Sequence, residues 1–256
     1  MSRLKKLFEN KNAPVLNVYC TAGYPTLNAT TEVIAALEEH GADMIEIGIP
    51  YSDPLADGEV IQKSSSIALA NGMNIVCLFD QLKNIRQTCH LPLVLMGYMN
   101  PVLQYGFEKF CAAAAAIGID GLILPDLPMF EFETVYGPIL KKYELDFIFL
   151  VTPETAETRV RQLDELSSGF LYAVSASATT GSTNNQPDLQ PYLQRLANYQ
   201  LMNPILVGFG IKDKASFKAA CQFSKGAIIG SAYIKALENT SNINESTKEF
   251  IKQVLN

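Results

Sequence analysis

Asp43-Met44-Ile45-Glu46-Ile47-Gly48-Ile49-Pro50-Tyr51-Ser52-Asp53-Pro54-Leu55-Ala56-Asp57-Gly58-Glu59-Val60-Ile61-Gln62 is the stretch from which the rest of the chain can be read. Met44 to Ile49 is an apolar run of the kind that forms a strand buried on both faces of a parallel sheet. One acid, Glu46, sits in its middle with no cation in the run to pair with. A loop rich in proline follows, carrying two further acids, Asp53 and Asp57, and it ends where Glu59 to Leu69 can begin a helix. Strand, loop and helix together make one β/α unit. A carboxylate fixed in a dry element, with others on a segment able to move over it, suits acid/base chemistry under a lid. The same residues also fit a barrel-interior acid paired with a distant Lys or Arg, and plain turn chemistry in Asp-Pro-Leu-Ala-Asp-Gly.

The unit repeats in both directions along the chain. Strands are read at Val15–Cys20, Met44–Gly48, Leu93–Met96, Gly121–Leu124, Phe147–Val151, Phe170–Val174, Ile205–Gly208 and Ala227–Ile229. Between them helices are read at Thr31–Glu39, Ile75–Thr88, Phe107–Ile117, Phe132–Lys142, Thr155–Leu166, Leu189–Ala197 and Lys214–Cys221. A short helix, Leu4–Phe8, precedes the first strand, and Asn244–Leu255 closes the chain. One junction recurs, a helix ending at glycine and leading into the next strand: Gly41-Ala-Asp-Met-Ile, Gly118-Ile-Asp-Gly-Leu and, more loosely, Gly226-Ala-Ile-Ile. Eight such units in 256 residues predict an α/β fold, a (β/α)8 TIM barrel forming a single domain over residues 1–256. A doubly wound open sheet is the structural alternative, and the even count disfavours it.

Composition narrows the function. Hydrophobic residues make up 48% and charged ones 18%, enough apolar surface for a large core. The net charge of −6, with no basic cluster larger than the pairs Lys5-Lys6 and Lys141-Lys142, argues against a nucleic-acid partner. No run approaches a membrane span and the N-terminus lacks a signal-type apolar region. The five cysteines are odd in number and mostly lie in apolar stretches, which points to reduced thiols and the cytoplasm. With two histidines, of which only His90 adjoins a cysteine (Cys89), the sequence lacks the clustered ligand spacing of a zinc site, and no dinucleotide fingerprint follows a strand.

In a barrel the loops after the strands share the face where chemistry is done. After strand seven stands Gly208-Phe209-Gly210-Ile211, and after strand eight Gly230-Ser231-Ala232-Tyr233 opens a short extra helix. These are the places where barrels bind phosphate through backbone N–H groups. Lys212 is the only cation read at any strand end, so the expectation is an anion held by amide dipoles and the Ser231 hydroxyl rather than by charge pairs. The strand runs contain no lysine for a Schiff base and no cluster for a metal aldolase. Proton transfer by carboxylates on a phosphorylated substrate remains. The longest loop, 175–187, is small and polar and is read as mobile or ordered on binding.

Ile45-Glu46-Ile47-Gly48-Ile49-Pro50-Tyr51-Ser52-Asp53-Pro54-Leu55-Ala56-Asp57-Gly58 closely resembles the signature of the tryptophan synthase alpha-subunit family, and the similarity extends along essentially the whole chain. Tyr19-Cys-Thr-Ala-Gly-Tyr-Pro, Met96-Gly-Tyr-Met-Asn-Pro, Asp120-Gly-Leu-Ile-Leu-Pro-Asp-Leu-Pro, Val207-Gly-Phe-Gly-Ile and Gly230-Ser231 support it. The resemblance implies a lyase of tryptophan biosynthesis that cleaves indole-3-glycerol phosphate to indole and glyceraldehyde 3-phosphate, with no cofactor in this subunit. It implies Glu46 as the acid/base that protonates the indole ring carbon and takes the glycerol hydroxyl proton. Asp57 would accept the indole N–H. Tyr172 would line the site near the glutamate, although a barrel-layer aromatic is an equal reading. Gly181, Gly210, Gly230 and Ser231 match the phosphate cradle; Tyr19, Ile61 and Phe209 would wall the indole pocket, positions that core packing explains equally well. Thr180 would meet Asp57 when both loops close. Many members carry Arg before Gly-Val-Thr-Gly in this loop; here the segment is Ser175-Ala176-Ser177-Ala178-Thr179-Thr180-Gly181, a departure that bears on loop closure.

The resemblance also implies a partner, a beta subunit holding pyridoxal phosphate that receives indole through a tunnel in an alpha2beta2 tetramer. Loops 51–58, 100–106 and 127–135 would lie near that interface, and they are apolar for a solvated rim. Self-association or lid packing would account for the same residues. Two other functions remain: a phosphosugar isomerase on a phosphate-binding barrel, and a non-catalytic activator of the beta subunit, which retention of both Glu46 and Asp57 disfavours.

Overall fold

The computed structural model describes residues 2–174, 189–208 and 210–256. Its strands are β1 (Val15–Thr21), β2 (Met44–Gly48), β3 (Leu93–Met96), β4 (Gly121–Ile123), β5 (Asp146–Phe147), β6 (Leu150–Val151), β7 (Leu171–Val174), β8 (Ile205–Gly208) and β9 (Gly226–Ile229). All pairings are parallel, in the order β5-β4-β3-β2-β1-β9-β8-β7-β6. The two ends of this sheet, β5 and β6, are halves of one extended segment. Ile148 N–H donates to Leu122 O on one side (3.0 Å), and Phe149 O accepts from Tyr172 N–H on the other (3.0 Å), so the sheet closes on itself. The fold is therefore the expected (β/α)8 barrel, its fifth strand divided because its first half ladders onto β4 and its second onto β7.

The strands form where apolar residues run unbroken, because both faces are covered: β1, β2 and β3 are buried at every position. The recurring glycine junction has a physical explanation. Gly41 and Gly118 adopt positive φ (105° and 85°), and the next residue's N–H reaches back to the helix, Ala42 to Leu37 O and Ile119 to Ala114 O. The aspartate that follows then accepts an N–H at the start of the neighbouring strand: Asp43 from Leu16 (2.8 Å) and Asp120 from Leu93 (2.9 Å). Each carboxylate also meets a cation, Lys11 for Asp43, and Arg3 and Arg86 for Asp120. The motif thus ties each helix end to the bottom of the barrel, away from the catalytic face.

Three expected elements differ. Residues 100–106, read as a loop, lie mostly in the helix Met99–Tyr105, whose first N–H is capped by both Asp126 carboxylate oxygens at 3.0 Å. Pro101 falls within its first turn, where a missing N–H costs nothing. The helix expected at Ile75–Thr88 stops at Leu82 and resumes as a 3-10 turn at Ile85–Gln87. The helix expected from Phe132 opens with a π turn, Phe132–Tyr136, before regular turns over Gly137–Lys142, with Pro138 near the join. The short extra helix after the last strand is present as Ser231–Ala236. The loop 175–187, with Thr180 and Gly181, and Phe209 lie outside the described residues.

Candidate active site

In the register of β1 on β2, Tyr19 stands opposite Glu46 and Asn17 opposite Met44, so Asn17, Tyr19 and Glu46 share one face of the sheet. That face looks into the barrel. Glu46 is 1% exposed; its Oε2 accepts from Asn17 Nδ2 at 3.1 Å, and its Oε1 has no hydrogen-bond partner among the described residues. A carboxylate so placed loses its hydration. Burial pushes the Glu46 carboxyl up to about 8, with the Asn17 amide pulling it down and the negative Asp57 adding to the rise.

Asp57 reaches the same cavity from the loop after β2 and is half-buried. Its carboxyl is raised to about 6 by burial, against a lowering by its hydrogen bond with the Tyr98 hydroxyl. Asp53, the other loop acid, is exposed and takes no part in the cavity. Tyr98 holds the acidic loop in place: its hydroxyl accepts from Ala56 N–H at 3.1 Å, and its ring lies against Tyr51, centroids 5.3 Å apart. Gln62 donates to Asp57 O at 2.8 Å from the helix Glu59–Ala70 that follows.

The cavity measures about 320 Å³, within the range of a small-molecule site. Tyr19, Glu46, Asp57, Ile61, Tyr172, Gly210, Gly230 and Ser231 all line it. All sequence-derived site residues that lie within the described residues therefore converge on one space. Both tyrosines are buried, and burial together with the neighbouring carboxylates drives their hydroxyls well above the ordinary range. They remain neutral donors at physiological pH. Room for their rings comes from two glycines: a Cβ on Gly48 would lie 2.0 Å from the Tyr19 hydroxyl, and one on Gly208 2.1 Å from the Tyr172 ring. Gly208→Ala is therefore expected to displace Tyr172 into the cavity. The cost should be about 1–3 kcal/mol of stability, read as a fall in Tm, together with a loss of substrate affinity.

Several residues in and behind the cavity wall were not anticipated. Lys235 joins Lys212 among the residues lining the cavity, so a second cation stands beside the one read from the strand ends. The signal for Lys235 was its spacing, four residues after Ser231 on a helix and hence on the same face. Asn17 could have been found as the one polar side chain two residues before Tyr19 in an apolar strand. Met96 and Ile211 complete the apolar wall and carried no sequence signal distinguishing them from core. A larger open groove, about 1390 Å³, lies at the opposite end of the barrel beside Asp120 and Asp146 and contains neither cavity acid. Among the described residues no group of His, Cys, Asp and Glu is placed to hold a metal ion.

Comparison with known proteins agrees with this geometry. The family model described as tryptophan synthase alpha chain matches residues 4–255. The tryptophan synthase alpha chain of Flavobacterium johnsoniae is 49% identical over 256 residues, covering 99% of this chain and 100% of its own. That of Bacteroides fragilis is 46% identical over 257 residues, covering 100% and 97%. Among solved structures, the alpha subunit of tryptophan synthase from Legionella pneumophila superposes with a TM-score of 0.89 at 34% identity, covering 99% of this chain and 97% of that one. Tryptophan synthase from Mycobacterium tuberculosis in its aminoacrylate-bound form gives 0.85 at 32%, covering 99% and 100%. With a whole-chain family match and a barrel whose mouth gathers the signature acids into one cavity, the chain belongs to the tryptophan synthase alpha chain family, lyases that cleave indole-3-glycerol phosphate.

Proposed function

We propose that Glu46 and Asp57 divide the retro-aldol cleavage of indole-3-glycerol phosphate between them, within a single barrel domain. Protonated Glu46 delivers its proton to the indole carbon that bears the glycerol chain, and the ring becomes a cationic indolenine. Asp57, ionised, accepts the indole N–H and balances that charge. Glu46, now a carboxylate, takes the proton of the adjacent glycerol hydroxyl. As the O–H electrons form the aldehyde C=O, the carbon–carbon bond breaks and its electron pair returns to the ring, restoring neutral indole and leaving glyceraldehyde 3-phosphate. The observation that supports this reading is the pair of carboxyls in one cavity, each raised, to different degrees, by burial.

The phosphate is held by Gly210, Gly230 and Ser231, with Lys212 and Lys235 supplying charge. Tyr19, Ile61 and Tyr172 face the indole, and the resemblance assigns Phe209, Thr180 and Gly181 to substrate binding as well. The subunit itself uses no cofactor. It works with a beta subunit, in an alpha2beta2 tetramer whose pyridoxal phosphate belongs to the partner, and indole passes between them. Leu55 (92% exposed), Phe130 (73%), Val135 and Leu103 offer that partner apolar surface. The free cysteines fit a reducing cytoplasm, and no described helix is long and apolar enough to cross a membrane.

The test is indole release from indole-3-glycerol phosphate across pH. Turnover needs Asp57 ionised and Glu46 protonated, so the rate should fall below the Asp57 value of about 6 and above the Glu46 value of about 8, a bell with its top at roughly pH 7. Adding a beta subunit should raise the rate. A rate that climbs steadily through pH 9 would contradict the assignment of Glu46 as the starting acid.

A further inference from the structure

We infer that Asn17 is the positioning residue for Glu46, holding its carboxyl in the same place in both protonation states through one amide group. The inference rests on the acid/base reading of Glu46. Asn17 is completely buried in β1, one layer below Tyr19, and does not line the cavity, so it cannot touch the substrate. Its Nδ2 donates to Glu46 Oε2 at 3.1 Å.

The geometry is incomplete in an informative way. Two buried oxygens, Glu46 Oε1 and Asn17 Oδ1, have no hydrogen-bond partner among the described residues. A buried amide that uses only its N–H pays for an idle carbonyl. An acid/base residue spends part of each cycle ionised and part protonated, and the side chain beside it must suit both. With Glu46 ionised, the Asn17 amide nitrogen donates to Oε2, as found. With the proton on Oε2, rotation of the same amide presents Oδ1 to the O–H and the idle oxygen becomes an acceptor; with the proton on Oε1, free to leave for the substrate, the Nδ2 bond to Oε2 stays. Leucine or valine in that place would serve neither state.

The other groups facing Glu46 do not take over this task. Asp57, from the loop after β2, is an acid and repels it; Tyr19 on β1 and Tyr172 on β7 feel its charge; the Cys20 thiol on β1 is raised by it. Val94 on β3, its register partner, is apolar, and Lys212 and Lys235 stand on the cavity wall with the phosphate-side glycines. The amide bond to the ionised form is charge-assisted and stronger than the bond to the neutral acid, so on balance Asn17 holds the Glu46 carboxyl lower than burial alone would.

The experiment compares Asn17→Leu with wild type and Glu46→Gln, measuring kcat, KM and the pH profile of indole release, with circular dichroism and Tm as the check on folding. In Asn17→Leu, kcat should fall about 10- to 100-fold, with KM within about twofold, because the substrate loses no contact and only the carboxyl is misplaced. The alkaline limb of the profile should move up by about one pH unit, since the ionised form has lost its donor. If Asn17→Leu fails to fold, Asn17→Val, smaller and suited to a strand, gives the same readouts. An unchanged kcat and limb in a folded variant overturns the inference, and so does a fall in kcat with the limb unmoved, which marks a purely structural role. If Glu46→Gln is inactive while Asn17→Leu behaves as wild type, only this inference fails. If Glu46→Gln keeps its activity, the underlying reading of Glu46 fails with it.

Discussion

Glu46→Gln is expected to reduce indole release from indole-3-glycerol phosphate by about a thousandfold or more while leaving Tm and KM near their wild-type values. Glutamine matches glutamate in size, so β2 and its neighbours need not move, and its carbonyl oxygen can still accept from Asn17 Nδ2. What it lacks is a proton to give. The indole ring carbon is a weak base, and water cannot replace the donor in a wall where the wild-type side chain is 1% exposed. Loss of the acid should also erase the alkaline limb of the pH profile, because the group that titrates at about 8 is gone. Residual rate with that limb intact would mean that some other group supplies the proton.

Asp57→Asn should cost about 10²- to 10³-fold in kcat, the usual loss when one stabiliser of transition-state charge is removed. The amide can still meet the indole N–H with its oxygen, so binding survives better than turnover. Its second effect is on Glu46. The negative charge of Asp57 contributes to the raised Glu46 carboxyl, and neutral asparagine does not, so the Glu46 value falls and the alkaline limb moves to lower pH. The acid limb near 6 disappears with the carboxyl that produced it. This direction is opposite to that expected of Asn17→Leu, and measuring the three variants in one buffer series separates the charge of Asp57 from the hydrogen bond of Asn17. An Asp57→Asn enzyme with the wild-type bell would rule out any electrical link between the two acids.

The barrel was legible before the structure because its signals are local. A buried parallel strand announces itself by a few consecutive apolar residues, and a helix end by glycine followed by a chain reversal; both were readable at Gly41 and Gly118, where φ proves positive. Glu46 stood out for the same reason, as an acid with no neighbour in the run able to neutralise it. The fifth strand was read as one piece, since nothing in Phe147–Val151 shows that its two halves pair with different neighbours. Residues 100–106 looked like a loop because Pro101 breaks helices in general, and the Asp126 cap that makes it a first-turn proline comes from the next β/α unit.

Sequence alone determined the order of strands and helices, the glycines that follow the last two barrel strands, and the presence of an unpaired acid in a dry strand. Local pattern left Asp53 and Asp57 alike, and only the resemblance singled out Asp57; the fold turns Asp57 into the cavity and Asp53 to solvent. It likewise left Asn17 as one polar residue in an apolar run and Tyr98 as one aromatic after a strand. Their meaning comes from contacts across 29 residues, Asn17 to Glu46, and 42 residues, Tyr98 to Ala56. Propensity and periodicity act over a turn or two of chain, whereas these contacts depend on the register of β1 on β2 and on the packing of adjacent β/α units, which exist only once the barrel has closed.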